Sequence, residues 1–186
     1  QASARFYPRG EIVDTAAALT ERVLASLDRS VAHLACHGLV RHDNPMFSSL
    51  RLTDGPLPIH ALQAAPALPD TVVLSACDVG RPGNAGPAHV LGLPAALLSM
   101  GVRAVVASPI AVPDRATAAV MIEFHRRLAT GIEPAEALAR LRVGPPATAE
   151  AGEAGRPEHD SEHDAGPGLD PEALMVLASV FTCHGG

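Results

Sequence analysis

The chain has 186 residues, a formal net charge of −6 and a hydrophobic content of 47%. This length suits one domain with a single core, and the hydrophobic content excludes a chain that is disordered by composition. The acidic balance and the lack of a basic run argue against a nucleic-acid-binding surface. No apolar stretch reaches the roughly 18 residues that a membrane-spanning helix needs.

The sequence shows neither a targeting signal nor a cysteine framework. It begins at Gln1 without a charged or apolar leader, so we expect no signal peptide, a cytoplasmic location and a chain that is the C-terminal part of a larger domain. The three cysteines, Cys36, Cys77 and Cys183, are too few and too scattered for a disulfide framework. Because none belongs to a C-x-x-C pair, we expect buried thiols or catalytic groups.

The first predicted elements are a helix, a strand and a hairpin. Residues 15–28 form an amphipathic pattern that Asp14 can cap, which predicts a helix. The short apolar run 31–36 predicts a buried strand that ends at a His-Gly dipeptide. Turn-forming residues then surround Leu50 and Leu52, which predicts a loop and a short edge strand or hairpin.

The middle of the chain predicts a second strand between two helices. A short helix is expected at 57–65, and the apolar run 71–76 predicts another buried strand, with Cys77 at its end. A loop rich in Gly and Pro follows at 80–87. The next helix, at 88–100, should be interrupted by Pro94 and closed by Gly101.

The last third of the chain begins with a regular pattern and then changes character. It predicts a strand at 103–108, a helix at 114–130 that Gly131 stops, and a short helix at 134–142. Residues 144–170 are rich in Pro, Gly, Glu and Asp, which predicts a disordered insert within a single domain spanning 1–186. The apolar run 177–182 predicts a final strand.

Apolar strands that alternate with amphipathic helices predict an α/β fold, with a mostly parallel sheet flanked by helices on both faces. In open sheets of this kind, the functional site lies beyond the carboxyl ends of the strands. His37 and Cys77 follow two different strands at such ends. We therefore expect them to lie together.

A thiol and an imidazole at one sheet edge can carry out nucleophilic catalysis. The Cys77 thiol would be activated by ion pairing with the His37 imidazolium. Gly38 lacks a side chain, so its backbone N–H and that of Cys77 can together form an oxyanion hole. Taken singly, a cysteine or histidine at a strand end is more often structural. The two together favour a site.

Three sequence blocks resemble the CHAT domain, a caspase-like peptidase domain often found with tetratricopeptide repeats. They are HLACHG at 33–38, PMFSSLRL at 45–52 and VVLSACDVG at 72–80. Further similar segments include MGVRAVVAS at 100–108 and the end of the chain, so that the resemblance covers roughly 10–143 and 171–186. The His-Gly block combined with Leu-Ser-Ala-Cys is specific, whereas either block alone would not be.

The resemblance implies a cysteine endopeptidase with a His–Cys dyad. It makes His37 the general base and Cys77 the nucleophile, with oxyanion N–H groups from Gly38 and Cys77, and it gives Ser48 no firm role. It also implies a protein substrate, an upstream sensor or tetratricopeptide-repeat region, and a part in stress or antiviral signalling such as bacterial defence. No cofactor, direct nucleic-acid contact or membrane contact is expected.

The substrate preference is left open. In related caspase-like enzymes, an acidic residue two positions before the cysteine helps to select a basic residue. Here that position is Ser75, which is neutral, so the sequence gives no sign of a preference for Arg or Lys. Ser48, Ser75 and Asp78 are the candidates for the substrate site, although Asp78 alternatively points to solvent or caps the next turn.

Two other functions stay open. The first is a catalytically silent signalling or interaction module, because a fold alone does not establish activity. The second is metal binding by the dipeptides Cys36-His37 and Cys183-His184. We do not expect a metal site, because neighbouring side chains on a strand point to opposite faces and each dipeptide then offers at most one inward ligand.

Overall fold

The framework of the described residues is a four-stranded sheet with helices around it. In the computed structural model, the described residues are 2–13, 19–39, 41, 44–75, 88–108, 114–143 and 170–186. The α-helices of these segments are α1 (Thr20–Ser26), α2 (Ala88–Ser99), α3 (Asp114–Leu128), α4 (Pro134–Val143) and α5 (Pro171–Ala178). The strands are β1 (Val31–Leu34), β2 (Gly38–Leu39), β3 (Ser49–Leu52), β4 (Gly55–Pro58), β5 (Thr71–Leu74), β6 (Ala104–Ala107) and β7 (Thr182–Gly185).

The main sheet has the strand order β1-β5-β6-β7. The first three strands are parallel, with Leu34 opposite Leu74 and Leu74 opposite Ala107. The last strand, β7, runs antiparallel to β6. All residues of β5 and β6 are buried, whereas those of β1 are only partly buried because it is an edge strand of this sheet. The predicted α/β fold with a mostly parallel sheet is confirmed.

A second, smaller sheet joins β2, β3 and β4 in antiparallel order, and we call it the small sheet. Gly38 pairs with Leu50, and Ser49 pairs with Pro58. The β3–β4 hairpin turns at Gly55, whose φ of 132° favours glycine. The hairpin predicted around Leu50 and Leu52 is therefore confirmed.

The two faces of the main sheet bury separate apolar clusters. One face is covered by α1, α2 and the small sheet, and we call its cluster the first core. The other is covered by α3, α4 and α5, and we call its cluster the second core. The first core comprises Val23, Leu27, Leu50, Leu57, Ile59, Leu62, Val72, Leu74, Leu93, Ala96, Leu97, Val102, Val105 and Ala107. The second comprises Val73, Val106, Val120, Met121, Phe124, Ala137, Leu138, Leu141, Ala178 and Phe181.

The predicted final strand at 177–182 is wrong. Leu177 and Ala178 end helix α5, and the strand β7 begins only at Thr182. A helix forms here because the Asp170 side chain accepts a hydrogen bond from the Ala173 N–H and Pro171 occupies the first turn. Asp170 was the last residue of the predicted insert, while 144–169 lies outside the described residues.

Three other boundaries differ from the sequence prediction. The helix expected at 57–65 is a 3₁₀ helix from Ile59 to Ala64, because residues 57–58 belong to β4. Helix α2 continues through Pro94 without the expected interruption. Helix α1 begins at Thr20 with Leu19 at its N-cap, and the predicted cap Asp14 lies outside the described residues.

The helices of the described segments are short. The longest of them, α3, has 15 residues. In this part of the chain, no helix is both long enough and apolar enough to cross a membrane.

Candidate active site

The carboxyl ends of β1 and β5 lie side by side and define the candidate site. The two strands are parallel and in register up to the Leu34–Leu74 pair, and the Ser75 N–H extends the pairing to the Leu34 carbonyl at 3.4 Å. His37 follows Leu34 by three residues, and Cys77 follows Leu74 by three residues. Neighbouring strands are about 4.8 Å apart, so the segments that lead to these two positions leave the sheet from adjacent strand ends.

His37 and Gly38 lie at the start of the small sheet, just after the chain leaves β1. The His37 side chain is exposed, and its carbonyl accepts a hydrogen bond from the Arg51 N–H at 2.8 Å. Gly38 begins β2 opposite Leu50. A β-carbon at position 38 would approach the Ser49 carbonyl oxygen at an ordinary 3.5 Å. The fold thus tolerates a side chain here, and packing does not require glycine at this position.

Ser48, which the resemblance left without a role, stabilises the segment that follows β2. It is only 1% exposed, and its Oγ accepts a hydrogen bond from the Arg41 N–H at 2.9 Å. Its carbonyl accepts from the Ile59 N–H at 2.7 Å. These bonds tie the start of β3 to the chain on either side of it. The contacts of Ser48 are therefore those of a structural residue beside His37 and Gly38.

Ser75 is held by a histidine that belongs to β1. Its Oγ lies 2.5 Å from Nε2 of His33. The other ring nitrogen of His33, Nδ1, lies 2.9 Å from Nε2 of His125 on α3. His125 Nδ1 is in turn 2.8 Å from the hydroxyl of Tyr7. We call this row of hydrogen bonds, Tyr7–His125–His33–Ser75, the histidine chain.

Burial keeps the histidine chain uncharged near neutral pH. His125 is 2% exposed, and burial lowers its pKa to about 4. Burial, together with the neighbouring His125, lowers the pKa of His33 to about 3. Burial raises the pKa of Tyr7 to about 12. All three ionisable groups are therefore neutral at pH 7, because desolvation opposes the charged form of each.

Sequence reasoning gave neither His33 nor His125 a role. A signal for both was present. His33 interrupts an apolar strand, and His125 follows Met121 by four residues on the face of α3 that carries Phe124. A buried polar side chain requires a partner. Their pairing across 92 positions joins two elements that are distant in sequence.

The two Cys-His dipeptides are not brought together. β1, which precedes Cys36, and β7, which contains Cys183, form opposite edges of the main sheet with β5 and β6 between them. Cys36 packs against the first core and Cys183 against the second. The joint metal site considered for the four residues is therefore wrong. Among the described residues, no group of three or more His, Cys, Asp or Glu side chains is arranged to hold a metal ion.

The sequence prediction also includes residues after β5. Cys77, Asp78 and the loop at 80–87 lie outside the described residues. The described site residues thus fall into two groups. His37, Gly38 and Ser48 lie in the small sheet or directly before one of its strands, whereas Ser75 is bonded to His33 on the second-core face of the main sheet.

Comparison with protein families agrees with the resemblance seen in the sequence. A family model, described as the CHAT domain, matches residues 2–145. The matched range contains both His37 and Cys77, and it ends before 171–186, the second segment of the resemblance. No curated protein matches the chain.

Proposed function

The chain belongs to the CHAT-domain family, and from this premise we propose that it is a caspase-like cysteine endopeptidase with a His37–Cys77 dyad. The family gives the caspase-like fold, and the dyad residues give the reaction. The observation that carries the proposal is the register of β1 and β5. The strands end side by side at the Leu34–Leu74 pair, and His37 and Cys77 each follow one of these two residues by three positions in the sequence.

His37 and Cys77 are each only three positions from the end of a strand, and this short separation suits a dyad. Three extended residues span at most about 10 Å, and the two starting points are one strand spacing apart. β1 and β5 are neighbours, so no strand of the main sheet lies between the two segments where they begin. The exposed position of the His37 ring also leaves it accessible to a bound polypeptide.

In the proposed reaction, His37 takes the proton of the Cys77 thiol. The thiolate attacks the carbonyl carbon of the scissile peptide, which forms a C–S bond and places negative charge on the carbonyl oxygen. The backbone N–H groups of Gly38 and Cys77 donate to this oxygen. The protonated His37 then gives its proton to the leaving nitrogen, the C–N bond breaks, and an acyl-enzyme remains.

Water completes the cycle. His37 removes a proton from the water as its oxygen attacks the thioester carbon. The C–S bond breaks, the thiolate regains its proton from His37, and a carboxylic acid leaves. The products are the two halves of the cleaved polypeptide.

The substrate and control of the enzyme follow from the family alone. We propose a specific protein substrate and regulation by an upstream sensor or tetratricopeptide-repeat region in a cytoplasmic signalling or defence pathway. Ser75 is neutral and already bonded to His33, so it supplies no charge that would select a basic residue. Asp78 keeps its place as a candidate for the substrate site.

A cleavage assay tests the dyad. The chain, alone and together with any upstream region of its parent protein, is incubated with a pool of internally quenched peptides that vary at the cleaved position. We expect Cys77→Ala and His37→Ala to abolish cleavage, while the matched control Cys36→Ala leaves it intact. Loss of cleavage with Cys36→Ala but not with Cys77→Ala overturns the assigned nucleophile.

The silent interaction module is the alternative outcome. If the unsubstituted protein cleaves no peptide and does not bind a thiol-directed peptide ketone at Cys77, the enzyme proposal fails. Binding of a partner protein that is unchanged by Cys77→Ala then supports the interaction module.

A further inference from the structure

The histidine chain has no part in the proposed peptidase steps, yet it ends beside the nucleophile segment. Ser75 is the last described residue of the β5 segment, and Cys77 is two positions further along the sequence. The second core is otherwise apolar where His33 and His125 enter it. A polar row of this kind costs free energy unless every member has its partner, so its place beside the site calls for a reason.

The hydrogen bond between His33 and Ser75 joins the carboxyl ends of two strands. His33 lies opposite Val73 in the parallel register, and its ring reaches diagonally to the residue two positions beyond Val73. The Ser75 N–H bond to the Leu34 carbonyl is long, at 3.4 Å. The side-chain bond between His33 and Ser75 is thus a second connection between β1 and the β5 segment, at the point where the ladder ends.

The histidine chain also fixes the tautomer of each ring, that is, which of its two nitrogens carries the proton. A neutral imidazole has one donor nitrogen and one acceptor nitrogen, so the protons of the row must all point in one direction. Two protonated rings would set N–H against N–H across the 2.9 Å contact between His125 and His33. The Tyr7 hydroxyl at one end thus helps to determine the tautomer that His33 presents to Ser75 at the other.

We propose that His33 is a positioning residue for the nucleophile: through its bond to Ser75, and anchored by His125 and Tyr7, it fixes the segment that carries Cys77 against His37. This inference rests on the proposed function, because it assumes that His37 activates Cys77. His33 touches no reacting atom in this arrangement. It acts through the backbone between Ser75 and Cys77.

The test is the rate at which iodoacetamide alkylates each cysteine at pH 7, measured by peptide-resolved mass spectrometry. Cys36 and Cys183 are internal controls in the same sample, because both are partly buried and unfolding would accelerate their alkylation. The main variant is Ser75→Ala, which removes the hydroxyl partner of the His33 ring. Val120→Ala is the matched control, since it weakens the second core without touching the histidine chain.

A pair of conservative variants separates positioning from packing. Glutamine carries its amide near the place of the histidine Nε2, and asparagine carries it near Nδ1. His33→Gln therefore keeps a group that can bond to Ser75, whereas His33→Asn keeps only the one that faces His125. We expect Ser75→Ala and His33→Asn to slow Cys77 alkylation about tenfold, as displacement of a reacting group does. We expect His33→Gln to retain most of the rate.

His37→Ala distinguishes failure of this inference from failure of the dyad. Slower alkylation of Cys77 in His37→Ala, Ser75→Ala and His33→Asn, with Cys36 and Cys183 unchanged, supports the positioning role. Slower alkylation in His37→Ala alone overturns it and leaves the peptidase proposal standing. No change in any of these variants overturns both. Faster alkylation of Cys36 and Cys183 in Ser75→Ala also overturns it, because the bond then only stabilises the fold.

Discussion

The two faces of the main sheet are built in different ways. The buried residues of the first core, which join α1, α2 and the small sheet, all have aliphatic side chains. The second core is equally apolar near Phe124 and Phe181, but the histidine chain crosses its edge at the carboxyl end of β1. An apolar face requires only volume and burial, whereas a buried polar row requires each partner in place. The second face therefore carries a positional constraint, located beside the proposed site, that the first lacks.

The largest expected effect tests whether the apolar parts of the two faces are equivalent. Phe124→Ala, at a fully buried site in the second core, should lower the free energy of unfolding by about 3–5 kcal/mol. Leu97→Ala in the first core should lower it by about 2–5 kcal/mol. Urea denaturation measures both. Val176→Ala on the exposed side of α5 is the control, and a loss of similar size there would contradict the burial assigned to these residues.

The second prediction concerns the pairing within the histidine chain. His125→Leu leaves His33 Nδ1 and the Tyr7 hydroxyl without their partner, so it should cost about 1–3 kcal/mol. The double variant His33→Leu/His125→Leu should cost less than the sum of the two single variants, because it removes both ends of the bond. Additive losses in urea denaturation would show that the two rings do not depend on each other.

The third prediction is a pH dependence specific to the second face. The folded chain keeps His33 and His125 neutral, with pKa values of about 3 and about 4, below the usual 6.5. Between about pH 6.5 and pH 4 the unfolded chain therefore binds protons that the folded chain does not, and stability falls as the pH falls. The slope approaches about 1.4 kcal/mol per pH unit for each histidine.

The histidine double variant is the control for that slope. Tyr7 is the other titratable side chain of the row, and it stays neutral throughout this range because burial raises its pKa to about 12. Denaturation curves from pH 7 to pH 4 should thus flatten in His33→Leu/His125→Leu. A slope unchanged by the double substitution would assign the acid sensitivity to the carboxylates instead.

The smallest expected effect is at the start of α5, which covers the second core. Asp170→Ala removes the side-chain acceptor for the Ala173 N–H and should lower the unfolding free energy by about 1 kcal/mol. Asp170→Asn keeps that acceptor and should cost much less. Thermal melts compare the two variants. Equal losses would mean that the charge of Asp170, rather than its hydrogen bond, stabilises the helix.

The sequence predicts the interior of the sheet better than its polar edge. β5 and β6 are continuous apolar runs, and a run of this length with turn residues on both sides leaves little choice. The run at 177–182 shows the limit. A short apolar stretch alone is compatible with a helix or a strand. Here the residues before it, Asp170 as N-cap and Pro171 in the first turn, favour a helix.

The described site residues also differ in how far the sequence predicts their positions. A local motif is enough to predict that His37 and Gly38 follow the end of a strand, because they belong to one short block of sequence. The histidine chain depends on four side chains from distant segments, and its longest sequence separation is 118 residues, between Tyr7 and His125. No local pattern specifies such a contact, because it is created by the tertiary packing of α3 against β1 and against the N-terminal segment that contains Tyr7.

The central claim is that His37 and Cys77 form one reactive pair at the end of β1 and β5. The most direct measurement is the distance from the Cys77 sulfur to the nearer His37 ring nitrogen in a crystal of the chain bound covalently to a peptide ketone. We predict a separation of about 3–4 Å, with the Gly38 N–H facing the ketone oxygen. A separation beyond about 7 Å, which no hydrogen bond or single bridging water spans, would contradict the dyad.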